Sequence, residues 1–346
     1  MARRIGDRQV LSKVLVLRRW ADTDPDELGS RRSAAGELVA LGEELGDAEA
    51  ACMGYVWRAM CHYEDGDVAG AVAEIEATQR YADQLRNPVL EAELAGGRTI
   101  NALLLGRLDD AERLMHEARE LGREAGLPPR TVLGHFTTQS VLLRYELGQP
   151  QQAVEAAEAF SPFIGEAGTA EWTWLAISAL VNAEAGDHAT AHRVLADLIG
   201  ADPATFAHHL GWIGTLALAG RVAAALEDAD AAATLYRLLR PYAGHACWFG
   251  AAVFGPVDPV LGLLAATLNR ADEADAHFAQ AVELCRRRGM PTWLARTCSE
   301  WARLLSVRGG PGDAAQARVL AAEALASAQA LGMAGVVARS EALLST

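Results

Sequence analysis

A single lysine, Lys13, serves the whole chain of 346 residues. A Walker phosphate loop and a Schiff-base site both need a lysine in a specific setting, and Lys13 stands in SKVLVL with no glycine loop before it. Both chemistries are excluded within this sequence. Positive charge is scarce throughout: 31 Lys and Arg face 45 Asp and Glu, a formal net charge of −14. Affinity for nucleic acid rests largely on counterion release by clustered cations, so no nucleic-acid partner is expected. Cysteine is sparse as well, and Cys52, Cys61, Cys247, Cys285 and Cys298 form no CxxC pair and leave an odd number. Cys52 and Cys61 lie nine residues apart on one predicted helix, on opposite sides of it, and do not pair within it. A reducing cytoplasm is the expected location.

Other absences bound the architecture. The opening MARRIGDRQV is charged and leads into an amphipathic helix, unlike a signal peptide. The most membrane-like stretch, Cys247 to Leu268, has Asp258 as its only charge but is interrupted by Pro256 and Pro259, so no membrane span is expected. Aromatic residues make up only 6% of a chain that is 51% apolar. Alanine supplies much of the difference, which suits close helix packing and leaves little from which to build strands.

What is present is periodic. A turn residue followed five positions later by alanine recurs seven times: Gly66 and Ala71, Gly106 and Ala111, Gly148 and Ala153, Gly186 and Ala191, Glu227 and Ala232, Asn269 and Ala274, Gly312 and Ala317. Successive turns are 40, 42, 38, 41, 42 and 43 residues apart. A fixed period of this length marks a stacked helical array in which each unit buries its face against its neighbours. Each unit reads as helix A, a short turn, then helix B. Ala111, Leu114, Met115, Ala118 and Leu121 recur at intervals of three and four, as do Ala274, Phe278, Ala281, Val282 and Cys285. Glycine, or Asn269, closes helix A in the left-handed conformation, and Asp67 and Asp187 are placed to cap helix B. Alanine five positions on sits where the two helices approach most closely.

The pattern of glycine, then alanine, then a bulky residue nine positions after the turn (Ile75, Met115, Leu195, Tyr236 or Phe278, but Ala157 in one unit) resembles the tetratricopeptide repeat over nearly the whole chain. The resemblance implies an all-α fold, a right-handed α-solenoid of about seven to eight helix pairs. One domain, 1–346, is expected, with an opening helix pair in 1–46, repeats in 47–333 and a capping helix in 334–346. The run from Leu261 to Asp313, extending back to LYRLLRPYAG at Leu235, is similar to the C-terminal helical sensor region of large bacterial ATPase/cyclase-type or LuxR-type transcriptional regulators. Neither a phosphate loop nor a helix-turn-helix precedes Asp24 here, so that resemblance implies the sensor or scaffold part alone.

Several side-chain groups are candidates for function. Eight positions before successive turns stand Arg58, Arg98, Ser140 and Ser178; four positions before them stand His62, Ala102, Arg144 and Asn182. Neighbouring stripes carry Met53, Tyr63, His135, Thr138, Tyr145 and Glu146. Helix A lines the inner surface of such arrays, so cationic stripes there would favour an anionic ligand or an acidic peptide terminus. The alternative is structural, with arginines bridging neighbouring helices. His188 and His192 are four apart on a helix B without further ligands, and the expectation is no metal and no cofactor. FAHHLGW, with His208, His209 and Trp212, reads as the start of a helix A with rim histidines. The long apolar connection Gly244 to Asp258, carrying His245, Cys247, Trp248 and Phe249, reads as a packed plug or a groove lining.

These observations favour a non-enzymatic scaffold that binds a protein or peptide in its concave groove, within transcriptional or signalling control. Its contact residues would be Arg58, His62, Tyr63, Arg98, His135, Thr138, Arg144, Tyr145, Glu146, Trp174, Trp248 and Phe249. One rival is a small-molecule effector sensor with a pocket lined by Trp174, Tyr145 and Cys247 to Phe249. The other is an enzyme using His135, Tyr145 and Glu146 as acid–base groups. Exposed terminal helices are compatible with a homodimer.

Overall fold

The computed structural model describes residues 6–21, 24–166, 171–200 and 211–345. The described residues form 17 α-helices, three short 3-10 turns and one β-hairpin. An opening pair, α1 (Arg8–Ala21) and α2 (Leu28–Leu45), precedes the first unit, α3 (Ala48–Asp65) and α4 (Val68–Leu85). The next four units are α5 (Pro88–Leu104) with α6 (Leu108–Glu124), α7 (Pro129–Glu146) with α8 (Pro150–Glu158), α9 (Glu171–Glu184) with α10 (His188–Gly200), and α11 (Trp212–Ala225) with α12 (Ala229–Leu239). A hairpin of β1 (Ala246–Trp248) and β2 (Val253–Pro256) then interrupts the array. Two further units, α13 (Asp258–Thr267) with α14 (Ala271–Arg288) and α15 (Pro291–Arg308) with α16 (Asp313–Leu331), lead to a closing helix, α17 (Ala334–Leu344).

Local chemistry accounts for the boundaries. Proline occupies the first turn of α5, α7, α8 and α15, where a missing N–H costs nothing. The carboxylates of Asp47, Asp67, Asp187 and Asp228 each accept a bond from the backbone N–H three residues on, which caps α3, α4, α10 and α12. All seven turn residues are left-handed, including Glu227 (φ 54°) and Asn269 (φ 57°). The seven alanines five positions later are all buried. The last turn departs from the simple pattern: Gly309 closes α15, and Gly312 is a second left-handed residue just before α16. The apolar connection after α12 also differs from expectation, because part of it pairs as the antiparallel hairpin.

The first helices of successive units pack side by side, as in α5 on α7, α9 on α11 and α11 on α13. The array also returns on itself: α15 touches α5, and α17 touches α7. The connections between the last units rest on the turns within the first three. A Cβ on Gly66 would strike Met290, one on Gly106 would come 2.5 Å from Leu331, and one on Gly148 would come 2.5 Å from the Cα of Gly335. Two backbones thus meet at Gly148 and Gly335 with no room for a side chain.

This contact separates two costs at otherwise similar turns. Gly186→Ala, with φ 87° and open space around it, is expected to destabilise by about 1 kcal/mol, the strain of a left-handed alanine. Gly148→Ala carries that strain and also pushes Gly335 away, so it costs clearly more and exposes the α17 amides to hydrogen exchange. Urea denaturation of both variants tests this, and equal losses would refute the role given to the backbone contact.

Candidate functional site

The cationic stripe turns toward the outer helices. Arg58 donates to Glu74 Oε2 of α4 from Nε (3.1 Å) and Nη2 (2.8 Å). Arg98 bonds Gln79 of α4, and Arg144 bonds Glu112 of α6 and Gln149 Oε1 (3.1 Å). His62 lies between Asp67 (3.0 Å) and Glu74 (3.7 Å). These contacts are the helix-bridging kind. Tyr63 is buried with its hydroxyl 2.9 Å from Asn101 Oδ1, and burial pushes its pKa up. Thr138 is buried, and Trp174 stacks on Phe160 with ring centroids 4.0 Å apart.

Tyr145 and Glu146, at the end of α7, belong to the closure of the array. Arg296 of α15 donates to Glu146 through Nε (3.2 Å) and Nη2 (2.7 Å), with its guanidinium carbon 3.8 Å from the centre of the Tyr145 ring. Both partners are almost fully buried. Burial opposes the Arg296 charge, but Glu146 and Tyr145 outweigh it and raise its pKa. Burial pushes Tyr145 up to about 12. A second pair, Arg221 with Glu300 at 2.7 Å, lies on α11 and α15. Burial alone would raise the pKa of Glu300, yet Arg221 and Arg296 hold it below the usual value. Thr292 completes the seam by donating to Leu103 O (2.9 Å), a carbonyl in the last turn of α5 that also accepts from the Gly106 N–H (3.2 Å).

The hairpin lies inside the array. Phe249 stacks on Phe254 and packs beside Gly214 of α11, and Gly255 lies against Trp293 of α15. Trp248 is buried. Gln139 of α7 donates through Nε2 to the main-chain carbonyl of Ala251 at the hairpin tip (3.1 Å) and lies 3.3 Å from Gly96 O of α5.

One helical turn before Gln139, on the same side of α7, stands His135. Its ring keeps contact with solvent although protein surrounds it, and this desolvation lowers its pKa. His135 is exposed and lies one turn from Gln139, which meets the hairpin tip, so it marks an open part of the inner face. Glu93 of α5 occupies the equivalent register, thirteen residues before its turn. It is half-buried with Oε2 unpartnered; burial raises its pKa, with Arg19 opposing. Gly96 has nothing within 4 Å of its would-be Cβ. Glu93, Gly96, His135 and Gln139 therefore form a wall of the concave face beside the hairpin tip.

Neither Glu93 nor Gln139 stood out in the sequence. The signal was their register, since His135 and Glu93 both stand thirteen positions before a turn and Gln139 nine. Ten residues separate His135 from Tyr145, about 15 Å along a helix, so α7 does not bring these acid–base candidates together. His188 and His192 are exposed beside an open cleft of about 550 Å³ shared with Glu227. His208 and His209 lie outside the described residues, whereas Trp212 begins α11 and is buried. Among the described residues, no three of His, Cys, Asp and Glu gather as a metal-binding group, and no helix is long and apolar enough to cross a membrane. The five cysteines are buried and form no disulfide.

A histidine whose pKa is lowered by burial is a linkage term. Its neutral form is favoured in the folded chain, so stability present above the unfolded value near 6.5 is lost as pH falls through it. In ¹H–¹⁵N NMR, His135 is expected to titrate below a model-peptide histidine, and His135→Leu should reduce the loss of stability between about pH 7 and 5. A midpoint at or above the model-peptide value would refute this placement.

No protein-family model matches the chain, and no curated protein matches its sequence. Among solved structures it is similar to a Rap protein complexed with competence and sporulation factor, with 11% identity, 96% of each chain covered and a TM-score of 0.55. BtubC (BKLC) from P. vanneervenii is 15% identical over 58% of this chain and 88% of its own, with a TM-score of 0.31. A circular tandem repeat protein with novel repeat topology is 15% identical over 99% of this chain and 85% of its own, with a TM-score of 0.20. The two lower scores carry no argument about the fold. The first, with the helix pairs described above, shows that this chain has an all-α helical-repeat fold.

Proposed function

We propose that the chain is a non-enzymatic scaffold whose concave face holds an extended segment of a protein or peptide partner, in a regulatory role in transcription or signalling. One observation carries this reading. The inner face already holds a piece of main chain, the turn at the hairpin tip, through the side-chain amide of Gln139, which donates to the carbonyl of Ala251. Bonds to main chain give affinity for a segment without reading its side chains. The wall beside that contact continues the same face, with His135 exposed and open space at Gly96. The neighbour of similar fold was solved in complex with a factor, which supports a binding role for the architecture. The regulatory part of the reading rests on the similarity of Leu261 to Asp313 to sensor regions. Tyr63, Thr138 and Trp174 then support the wall from within, and Arg58, Arg98 and Arg144 set the spacing of its helices.

Selection of a random peptide library on the full chain tests this. Selected peptides are expected to lose on the order of tenfold in affinity on His135→Ala, the size of a lost hydrogen bond in a desolvated groove, and to weaken less on Gln139→Ala, which acts through the hairpin tip it holds. Selected peptides that bind both variants as tightly as the parent would overturn the reading, as would a stoichiometric small molecule on the protein by native mass spectrometry.

A further inference from the structure

Both faces of the opening helix are apolar. Leu11, Leu15 and Val16 of α1 pack inward with Leu38 of α2 and Trp57 of α3, while Val10, Val14 and Leu17 are exposed. Among the described residues six large apolar side chains are exposed, and three of them share this one face, Leu17 at 72%. A helix that is apolar all round is suited to lie between two neighbours, whereas the end helices of an array ordinarily turn a polar face outward. The closing helix obeys that rule. Apart from Leu344 in its last turn, the exposed positions of α17 are Ala334, Ala338, Glu341 and Ala342.

Val10, Val14 and Leu17 follow one another at four and three residues, the d, a and d positions of a heptad seam. In that register Lys13 is a g position and Arg18 an e position, so both borders of the seam are cationic. Lys13 is exposed, and Arg18 donates to Ser30 Oγ at 3.1 Å. Arg8 and Arg19 complete a helix with no acidic residue, in a chain of net charge −14. Two copies of α1 would bring like charges together in either orientation: Lys13 against Arg18 when parallel, and each against its own counterpart when antiparallel. An anionic lipid surface is repelled by the acidic body of the chain. Charge complementarity therefore selects a helix with acidic residues beside its own seam. We propose that the exposed face of α1 docks an amphipathic helix of a protein partner, with acidic e and g positions facing Lys13 and Arg18. That helix extends the stack by one member at its opening end, away from the concave wall.

Fluorescence anisotropy of the full chain with two labelled synthetic helices of about three heptads tests the proposal, both with isoleucine at a and leucine at d. One carries glutamate at e and g and the other lysine, so each repels itself at neutral pH. The glutamate helix is expected to bind, and the lysine helix more weakly by on the order of tenfold. Lys13→Glu should narrow or invert that difference, and Leu17→Asp should lower affinity for the glutamate helix at least as much. Val319→Asp, which changes a similarly exposed valine (67%) on α16, should leave binding unchanged. Circular dichroism establishes that the three variants are folded. Equal binding of the two helices, no binding of either, or unchanged affinity in Leu17→Asp overturns the proposal. So does a dimer in sedimentation that Leu17→Asp abolishes, or adsorption to phosphatidylserine vesicles that it abolishes, since these assign the face to a second copy or to lipid. Loss of the glutamate helix in His135→Ala but not in Leu17→Asp would place it in the concave face and overturn the proposal while leaving the concave-face reading intact.

Discussion

The structure depends on the return of its last units onto its first. A solenoid normally gains stability from nearest neighbours alone, but here Arg296 reaches Glu146 across 150 residues of sequence and both charges are buried. Such a pair is a poor source of net stability, because desolvation consumes most of the attraction. Its one-sided loss, however, costs about 3–5 kcal/mol by leaving a buried charge alone. The pair therefore acts chiefly as a register pin, admitting the arrangement in which α15 meets the ends of α5 and α7 and penalising slipped ones. The glycine contact between Gly148 and Gly335 enforces the same register by shape.

Closure also explains why the inner face is divided. The hairpin fills the space against α3, α11 and α14, with Gly255 against Trp293 of α15, and the interior there is packed like a core. Among the described residues, the wall on α5 and α7 stays open at His135. Regular repeats supply the frame, and the hairpin insertion decides which part of the inner face is filled.

Much of this frame was legible beforehand because turn chemistry is local. A left-handed position needs glycine or a tolerant substitute, and a close helix crossing needs alanine. Both leave marks at fixed spacing, even where Glu227 replaces the glycine. The phase of the inner face was harder to read. One residue of error rotates a helical stripe by about 100°, enough to turn Arg58, Arg98 and Arg144 from a groove toward the outer helices. Nor could a sequence reveal that Gly106 and Gly148 serve twice, once for their dihedral angles and once for the backbone that approaches them. That second demand comes from residues far along the chain. The short strands around Trp248 escaped notice for a related reason, since a continuous apolar run has no alternation to betray a strand buried on both sides.

An open array can change length by duplicating or deleting a unit, because every junction resembles every other. In this chain the connection before α15 and the one before α17 have fixed seats on particular turns of the first three units. Adding or removing one unit in the middle would carry those seats past their partners and leave Arg296 facing the wrong helix. The number of repeats is thus a structural quantity here, as constrained as the size of a ring, and lineages of this fold would be expected to vary in their loops and in the hairpin while holding the unit count constant.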